Sequence, residues 1–392
     1  MKPKILLLAG EESGVLYAGQ LAERLKSAGA EIRGYGDFGF KTADLAVIGF
    51  GPVLLRLFYF LGVARTMKRV IREWRPDVVV TVDYPGLNLK LAAYAKKRGI
   101  PSVHIVCPQV WAWRRNRIPK VAAAISELLC FFPFEPAFFK GTGLDVKFIG
   151  HPLVGMVKGE GGRVKGEGGR VKGEGRLIAL LPGSRIGEIR RILPRLLKAV
   201  EIVTRGQALS TLGGQTLKIA IPAANAGAEL EIKRIVARAR NLPQIEVRRG
   251  GARALLRAAD CAAVASGTAT LEAALMRCPT VLVYAVAPFW AWVARRVITG
   301  VRHLGLANIV AEKCGFEPPM PELLQEAFTP EAVAAQLTTW LADEAAHAAA
   351  VAQLNHAMGY LEAAGEPLQI AAQEVMAHFT RSVSGGSGTL PE

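Results

Sequence analysis

Aspartate is scarce in this chain. Its 392 residues include seven, and no two of them stand one residue apart. Without an Asp-x-Asp pair there is little to clamp a divalent cation on a diphosphate. Cysteine is sparser still. Cys107, Cys130, Cys261, Cys278 and Cys314 form no C-x-x-C pair, and several sit inside apolar runs where a reduced thiol packs as a small hydrophobe. That argues against a disulfide-stapled secreted domain and for a reducing cytoplasm. Long apolar runs are missing too. The run after Lys4 stops at Ala9, short of a secretory signal; Pro52 to Val63 is broken by Arg56, and Val281 to Ala294 ends at Arg295-Arg296. A spanning helix needs about 20 uninterrupted apolar residues. Acidic charge is the last shortage: 33 Asp and Glu against 49 Lys and Arg leave a formal net charge of +16. That excess predicts an anionic partner, whether nucleic acid, a phospholipid surface or a phosphorylated substrate.

The hydrophobic content of 51% can bury sizeable cores, and a chain of this length usually forms two domains. The pattern alternates β and α. Strands are expected at Lys4 to Ala9, Val78 to Val82, Ser102 to Val106 and Leu128 to Phe132, with helices from Val15 to Ala28 and Leu87 to Arg98. A second series starts at the strand Leu177 to Leu181 and runs through the helix Gly187 to Val203, Leu217 to Ile221, the helix Ala228 to Arg240, Ile245 to Arg248, Cys261 to Ala265 and a helix from Thr268. Short apolar strands spaced by helices imply parallel sheets covered on both faces, here two doubly wound Rossmann-like domains facing a central cleft. Between them a heptad, Val157-Lys158-Gly159-Glu160-Gly161-Gly162-Arg163, recurs at Val164 to Arg170 and partly to Arg176. One apolar residue and up to three glycines per unit cannot form a core, so 157–176 reads as a linker. The expected layout is a domain over 1–156, that linker, a domain over 177–329, C-terminal helices over 330–381 and a disordered tail over 382–392.

Strand ends in such sheets are where ligands bind. Ser266-Gly267-Thr268 closes one apolar run and opens a helix, a seat for phosphate at the free amides and positive dipole end, or alternatively an ordinary cap. Glu272, about one turn on, is placed to accept hydrogen bonds from sugar hydroxyls. Asp83 follows the strand Val78 to Val82 and precedes Tyr84-Pro85-Gly86, so it is a turn former or a candidate general base whose pKa desolvation would raise. Arg185 in Pro182-Gly183-Ser184-Arg185 is suited to a diphosphate leaving group, and as a mere surface residue its charge would oppose the helix dipole. Trp111 and Trp113 stand beside Arg114, Arg115 and Arg117; the indoles read as packing or base-stacking groups and the arginines as anion contacts. His151 in Gly150-His151-Pro152 is a phosphate ligand, an acid, or a histidine satisfied by backbone.

Seven blocks in order then carry a resemblance: Ala9-Gly10-Glu11-Glu12-Ser13-Gly14, Asp83-Tyr84-Pro85-Gly86-Leu87-Asn88, Pro108-Gln109-Val110-Trp111-Ala112-Trp113-Arg114, Phe148-Ile149-Gly150-His151-Pro152, Leu181-Pro182-Gly183-Ser184-Arg185, Ala265-Ser266-Gly267-Thr268-Ala269-Thr270-Leu271-Glu272 and Leu306-Ala307-Asn308-Ile309-Val310. Over Lys4 to about Thr329 the chain resembles the lipid-A-disaccharide synthases. The resemblance implies a GT-B fold and an inverting, metal-independent glycosyltransferase with no cofactor. It would join UDP-2,3-diacylglucosamine to 2,3-diacylglucosamine 1-phosphate, giving the β-1,6 disaccharide 1-phosphate and UDP. Carried over by position, Asp83 is the base on the acceptor 6-hydroxyl and Arg185 faces the diphosphate. Glu272 and Asn308, likewise carried over, belong to the donor nucleotide site; from the residues themselves Ser13, Gly14, Ser266, Gly267 and Thr268 are further donor-site candidates, and Arg114, Arg115 and His151 candidates for the acceptor or an anion. Two departures stand out: Val15 occupies a position where the family commonly has Asp, and the glycine-rich repeat is foreign to its pattern.

A diacylated acceptor gives the stretch 52–63 a purpose. Leu54, Leu55, Leu57, Phe58, Phe60 and Leu61 form an apolar surface followed by Arg65, Lys68, Arg69 and Arg72, a segment able to lie against an anionic membrane or to pack as an ordinary buried helix. The expected setting is the cytoplasm, at the inner face of the inner membrane, without nucleic acid; oligomerisation is left open. The rival readings are a UDP-N-acetylglucosamine epimerase of like fold and a nucleic-acid-binding protein, which would explain the charge but not Glu272 behind a phosphate turn.

Overall fold

A computed structural model describes residues 2–10, 12–40, 53–159, 175–205, 216–240, 242–287, 292, 296 and 300–385. The side chains of 12, 13, 53–58, 158, 159 and 382–385 are outside that description. Thus Ser13, Leu54, Leu55, Leu57 and Phe58 are placed as backbone alone, and residues 160–174 of the repeat and the end beyond Gly385 lie outside the described residues.

The chain divides into two compact units, Met1–Gly155 with Leu361–Glu392, and Met156–Tyr360. In the first unit six strands form one sheet in the order β2-β1-β3-β4-β5-β6: β1 (Lys4–Ala9), β2 (Glu31–Arg33), β3 (Val78–Val82), β4 (Ser102–Ile105), β5 (Glu127–Cys130) and β6 (Asp145–Phe148). Every pairing is parallel. The central strands are buried along their whole length, which is why they read as unbroken apolar runs. Helices α1 (Glu12–Ser27), α2 (Val53–Glu73), α3 (Pro85–Lys96), α4 (Ile118–Ala124) and α5 (Pro152–Gly159) connect or follow them. Val63, Met67, Val70 and Ile71 of α2 recur at helical spacing and enter the core with Leu6, Leu8 and Leu91. Arg65, Lys68, Arg69 and Arg72 are left exposed on the same helix.

The second unit repeats the plan in the order β12-β11-β10-β7-β8-β9, again all parallel. Its strands are β7 (Arg176–Leu181), β8 (Leu217–Ala223), β9 (Ile245–Arg249), β10 (Cys261–Ala265), β11 (Thr280–Tyr284) and β12 (Glu322–Leu324). They alternate with α6 (Ile186–Arg205), α7 (Ala226–Val236), α8 (Ala252–Ala258), α9 (Thr268–Leu275) and α10 (Leu306–Cys314), followed by α11 (Pro330–Ala342) and α12 (Glu344–Gly359). Ile189, Ile192, Leu193, Leu196, Val200 and Val203 give α6 one apolar face, buried with Leu337 and Trp340 of α11. Each such side chain contributes about 1.5–3 kcal/mol.

Differences from the sequence reading have local causes. The fourth strand stops at Ile105 because Val106 has φ +76, a conformation a β-branched residue rarely adopts. Helix α7 starts at Ala226, where the Asn225 side chain accepts from the Ala228 N–H at 2.9 Å. The apolar stretch from Val281 turns out to begin with strand β11, and no helix among the described residues is long and apolar enough to cross a membrane. The C-terminal helices part company: α11 and α12 belong to the second unit, whereas α13 (Pro367–Gly385) belongs to the first and carries helix into the stretch expected to be a tail.

Candidate functional site

In each sheet the first strand has neighbours on both sides, so the connections wind away from it in opposite directions. A crevice opens where they part, at the carboxyl ends of the strands. In the first unit that point lies between β1 and β3, which end in register at Ala9 and Val82. The loops that follow are Gly10 onward and Asp83 onward. In the second unit it lies between β7 and β10, paired at Leu181 and Val264, and the loops are Pro182 to Arg185 and Ser266 to Thr268. Four of the blocks singled out in the sequence therefore border the two crevices.

Asp83 and Tyr84 both take left-handed backbone, with φ +52 and +50. Two adjacent side-chain-bearing residues in that region cost on the order of 1–2 kcal/mol each unless something holds them. Asn88 does so. Fully buried, it donates from Nδ2 to the carbonyls of Asp83 at 2.8 Å, Val82 at 3.3 Å and Leu8 at 3.4 Å, and accepts from the Tyr35 hydroxyl at 2.8 Å. The Asp83 amide is tied to Ile105 O at 2.9 Å. The carboxyl itself has one described bond, from the Tyr84 N–H to Oδ1 at 2.7 Å. Burial raises its pKa, and that N–H pulls the other way. A Cβ on Gly10 would fall 2.5 Å from the Tyr84 ring, and one on Gly14 would sit 3.4 Å from Asp83 Cβ. Glycine at these positions lets the start of α1 come against the aspartate.

The loop after β4 is anchored from within. Trp111 is buried, packs edge-on to Phe134 at 5.3 Å and donates from Nε1 to Glu135 Oε1 at 3.0 Å. Glu135 Oε2 accepts from the Phe132 N–H at 3.1 Å. The carboxyl is pushed up to about 8, chiefly by burial. Trp111 is thus a packing group, and Arg114 and Arg115 remain exposed beyond it, over the rings of Trp113 and Phe138. Cys107, Cys130 and Glu135 offer atoms within 4.8 Å of one another, but both Glu135 oxygens already face N–H donors, so the group reads as bonded core rather than an open ligand set. His151 lies inside the fold with a backbone partner. It is 5% exposed among Tyr17, Phe131 and Phe132, its Nδ1 accepts from the Leu153 N–H at 3.2 Å, and burial lowers its pKa to about 3. A neutral ring inside an aromatic cage caps α5.

In the second unit Gly183 has φ +108 and a Cβ there would fall 2.7 Å from Glu188 Oε2. The tight turn brings Glu188 within 3.3 Å of Arg185, whose guanidinium is otherwise largely exposed and free to meet an anion. Gly267, with φ +150, opens α9 without any side-chain cap, which leaves amides of the first turn available. Ser266, Gly267 and Thr268 are at least partly exposed there. Glu272 is held by Arg253, Nε to Oε1 at 3.0 Å, a partner in α8 that sequence spacing did not single out. Asn308 is fully buried, donating to Met320 O at 2.7 Å and Glu322 Oε1 at 2.8 Å and accepting from the Met320 N–H at 3.0 Å. Its carboxamide faces inward.

Comparison with known proteins bears on the fold and the family. Solved structures of similar fold include a UDP-GlcNAc 2-epimerase from Neisseria meningitidis bound to UDP-GlcNAc (TM-score 0.52, 10% identity, covering 96% of this chain and all of that one). Another is Glycyrrhiza uralensis UGT73P12 (TM-score 0.57, 11% identity, 98% of each chain). At such identity they speak to the GT-B-like fold alone. Sequence relatives say more. The lipid-A-disaccharide synthases of Syntrophus aciditrophicus and Anaeromyxobacter dehalogenans are 35% and 33% identical, over 90% and 95% of this chain and 92% and 97% of their own. The profile of the lipid-A-disaccharide synthetase family matches residues 5–375. The chain belongs to the lipid-A-disaccharide synthase family.

Proposed function

We propose that this protein transfers 2,3-diacylglucosamine from its UDP derivative to the 6-hydroxyl of 2,3-diacylglucosamine 1-phosphate, forming the β-1,6-linked disaccharide 1-phosphate and UDP. The observation that carries the reading lies in the second unit, where an uncapped helix start, the exposed Arg185 and Glu272 stand at the strand ends; in the first unit the desolvated carboxyl of Asp83 supports it separately. Asp83 takes the proton of the acceptor hydroxyl as its oxygen attacks the anomeric carbon from the face opposite the diphosphate. The bond from that carbon to the phosphate oxygen breaks. The departing charge is met by Arg185 and the amides of α9, and Glu272, steadied by Arg253, binds hydroxyls of the nucleotide. Exposed Arg114 and Arg115 suit the acceptor phosphate. The exposed basic side of α2, with Leu61 at 40% exposure, suits a peripheral contact with anionic lipid that brings the acyl chains within reach.

Incubation with both lipid substrates followed by mass analysis of the lipid fraction tests the activity; absence of the disaccharide 1-phosphate refutes it. Asp83→Asn keeps UDP binding and lowers transfer by about a hundredfold or more. Undiminished turnover would remove Asp83 as the base. Arg185→Ala weakens UDP binding by on the order of tenfold, and an unchanged dissociation constant would reassign Arg185 to the acceptor phosphate.

A further inference from the structure

We propose that Glu322 is a positioning residue for the donor half of this reaction, fixing His303-Leu304-Gly305 and the carboxamide of Asn308 so that the start of α10 is held beside the phosphate turn. The inference rests on the function proposed above.

Glu322 opens the edge strand β12, opposite Leu282 of β11. Its side chain is 8% exposed. Oε1 accepts from the Gly305 N–H at 2.9 Å, from Asn308 Nδ2 at 2.8 Å and from the Leu304 N–H at 3.1 Å, the last shared with Oε2 at 3.0 Å. His303 Nδ1 stands 3.8 Å away. An ordinary cap bonds one or two amides of its own helix. Here a carboxylate distant in sequence gathers donors from three residues, which takes the several lone pairs that an ionised carboxyl offers. Its negative charge, near the start of a helix, is favoured by the dipole and spent on these donors.

Asn308 completes the lock. Both hydrogens of its Nδ2 are engaged, by Met320 O and Glu322, and its Oδ1 takes the Met320 N–H. A side chain so committed influences a nucleotide through the backbone it holds. Gly305 fits between the same groups, since a Cβ there would fall 2.8 Å from Leu282 Cδ1 and 3.3 Å from Glu322 Oε1. The lock is close to the phosphate turn by construction. Strand β11 pairs with β10, the Ser266 N–H bonds Val283 O at 3.1 Å, and α10 packs on α9.

The test uses the full chain, with UDP dissociation constants from calorimetry and separate KM values for donor and acceptor. Asn308→Asp sets two carboxylates against each other and weakens UDP binding about tenfold. Adding Glu322→Gln supplies a donor to the new carboxylate and brings the affinity back to within about threefold of the parent. Glu322→Gln alone raises the donor KM and leaves the acceptor KM unchanged. The proposal is overturned if a folded Asn308→Asp keeps its UDP affinity, or if the double variant stays as weak as Asn308→Asp, which would mean that Asn308 meets the nucleotide directly. Equal changes in both KM values would also overturn it. Should Asn308→Asp fail to fold, Glu322→Gln decides, with a raised donor KM supporting the proposal and an unchanged one refuting it. Because UDP binding is read without lipid, failure of the lock and failure of the transferase activity remain distinguishable.

Discussion

Glu135 holds its proton to about pH 8, where an unburied glutamate would have lost it near 4.5. The folded state therefore binds a proton that the unfolded chain has released, and stability falls as pH rises from about 4.5 to 8. Relative to Glu135→Gln, the parent should lose about 4 kcal/mol across that interval in denaturant titrations. Parallel stability curves for the two proteins would show that Glu135 is not protonated in the fold. At this scale the sequence was legible where chemistry and strand end coincide. Asp83 and Ser266 directly follow a strand and Arg185 stands four residues beyond one, so their places near strand ends could be read from the sequence. Glu135, Arg253 and Glu322 were silent because each works through partners 14 to 24 residues away, and nothing in a linear pattern says which loop a glutamate will reach. For His151 and Asn308 the motif fixes identity, whereas burial decides which way the side chain turns.

Elements were read best where both faces of a strand are covered, as in β1, β3 and β10, whose continuous apolar runs admit one interpretation. The short edge strands β2, β6 and β12 are only partly buried and lack that signature. Helix α2 is a composite, since Val63, Met67 and Ile71 are core while Leu61 is exposed among basic residues. That arrangement makes a specific expectation at the element level. Leu61→Ser should leave thermal stability nearly unchanged, because an exposed side chain gives up little burial, yet reduce binding to anionic vesicles. Equal vesicle binding by both proteins would take α2 out of the membrane contact.

For the molecule as a whole, the net charge of +16 gives a long-range preference for anionic surfaces. Vesicle association should weaken steeply between roughly 0.05 and 0.3 M salt, as screening shortens the range of attraction; insensitivity to salt would point to insertion of apolar groups alone. The first unit is discontinuous in sequence, and its closing segment is stitched back through α13 by buried Glu127 to His378 at 2.8 Å and Lys147 to Glu374 at 2.7 Å, and just before α13 by Arg24 to Glu366 at 3.0 Å. A chain emerging from the ribosome can complete the whole second unit while its own first 155 residues still wait for their final helix. Premature termination before Pro367 would consequently injure the portion made earliest, and nascent chains stalled there should display a protease-sensitive beginning alongside a resistant middle.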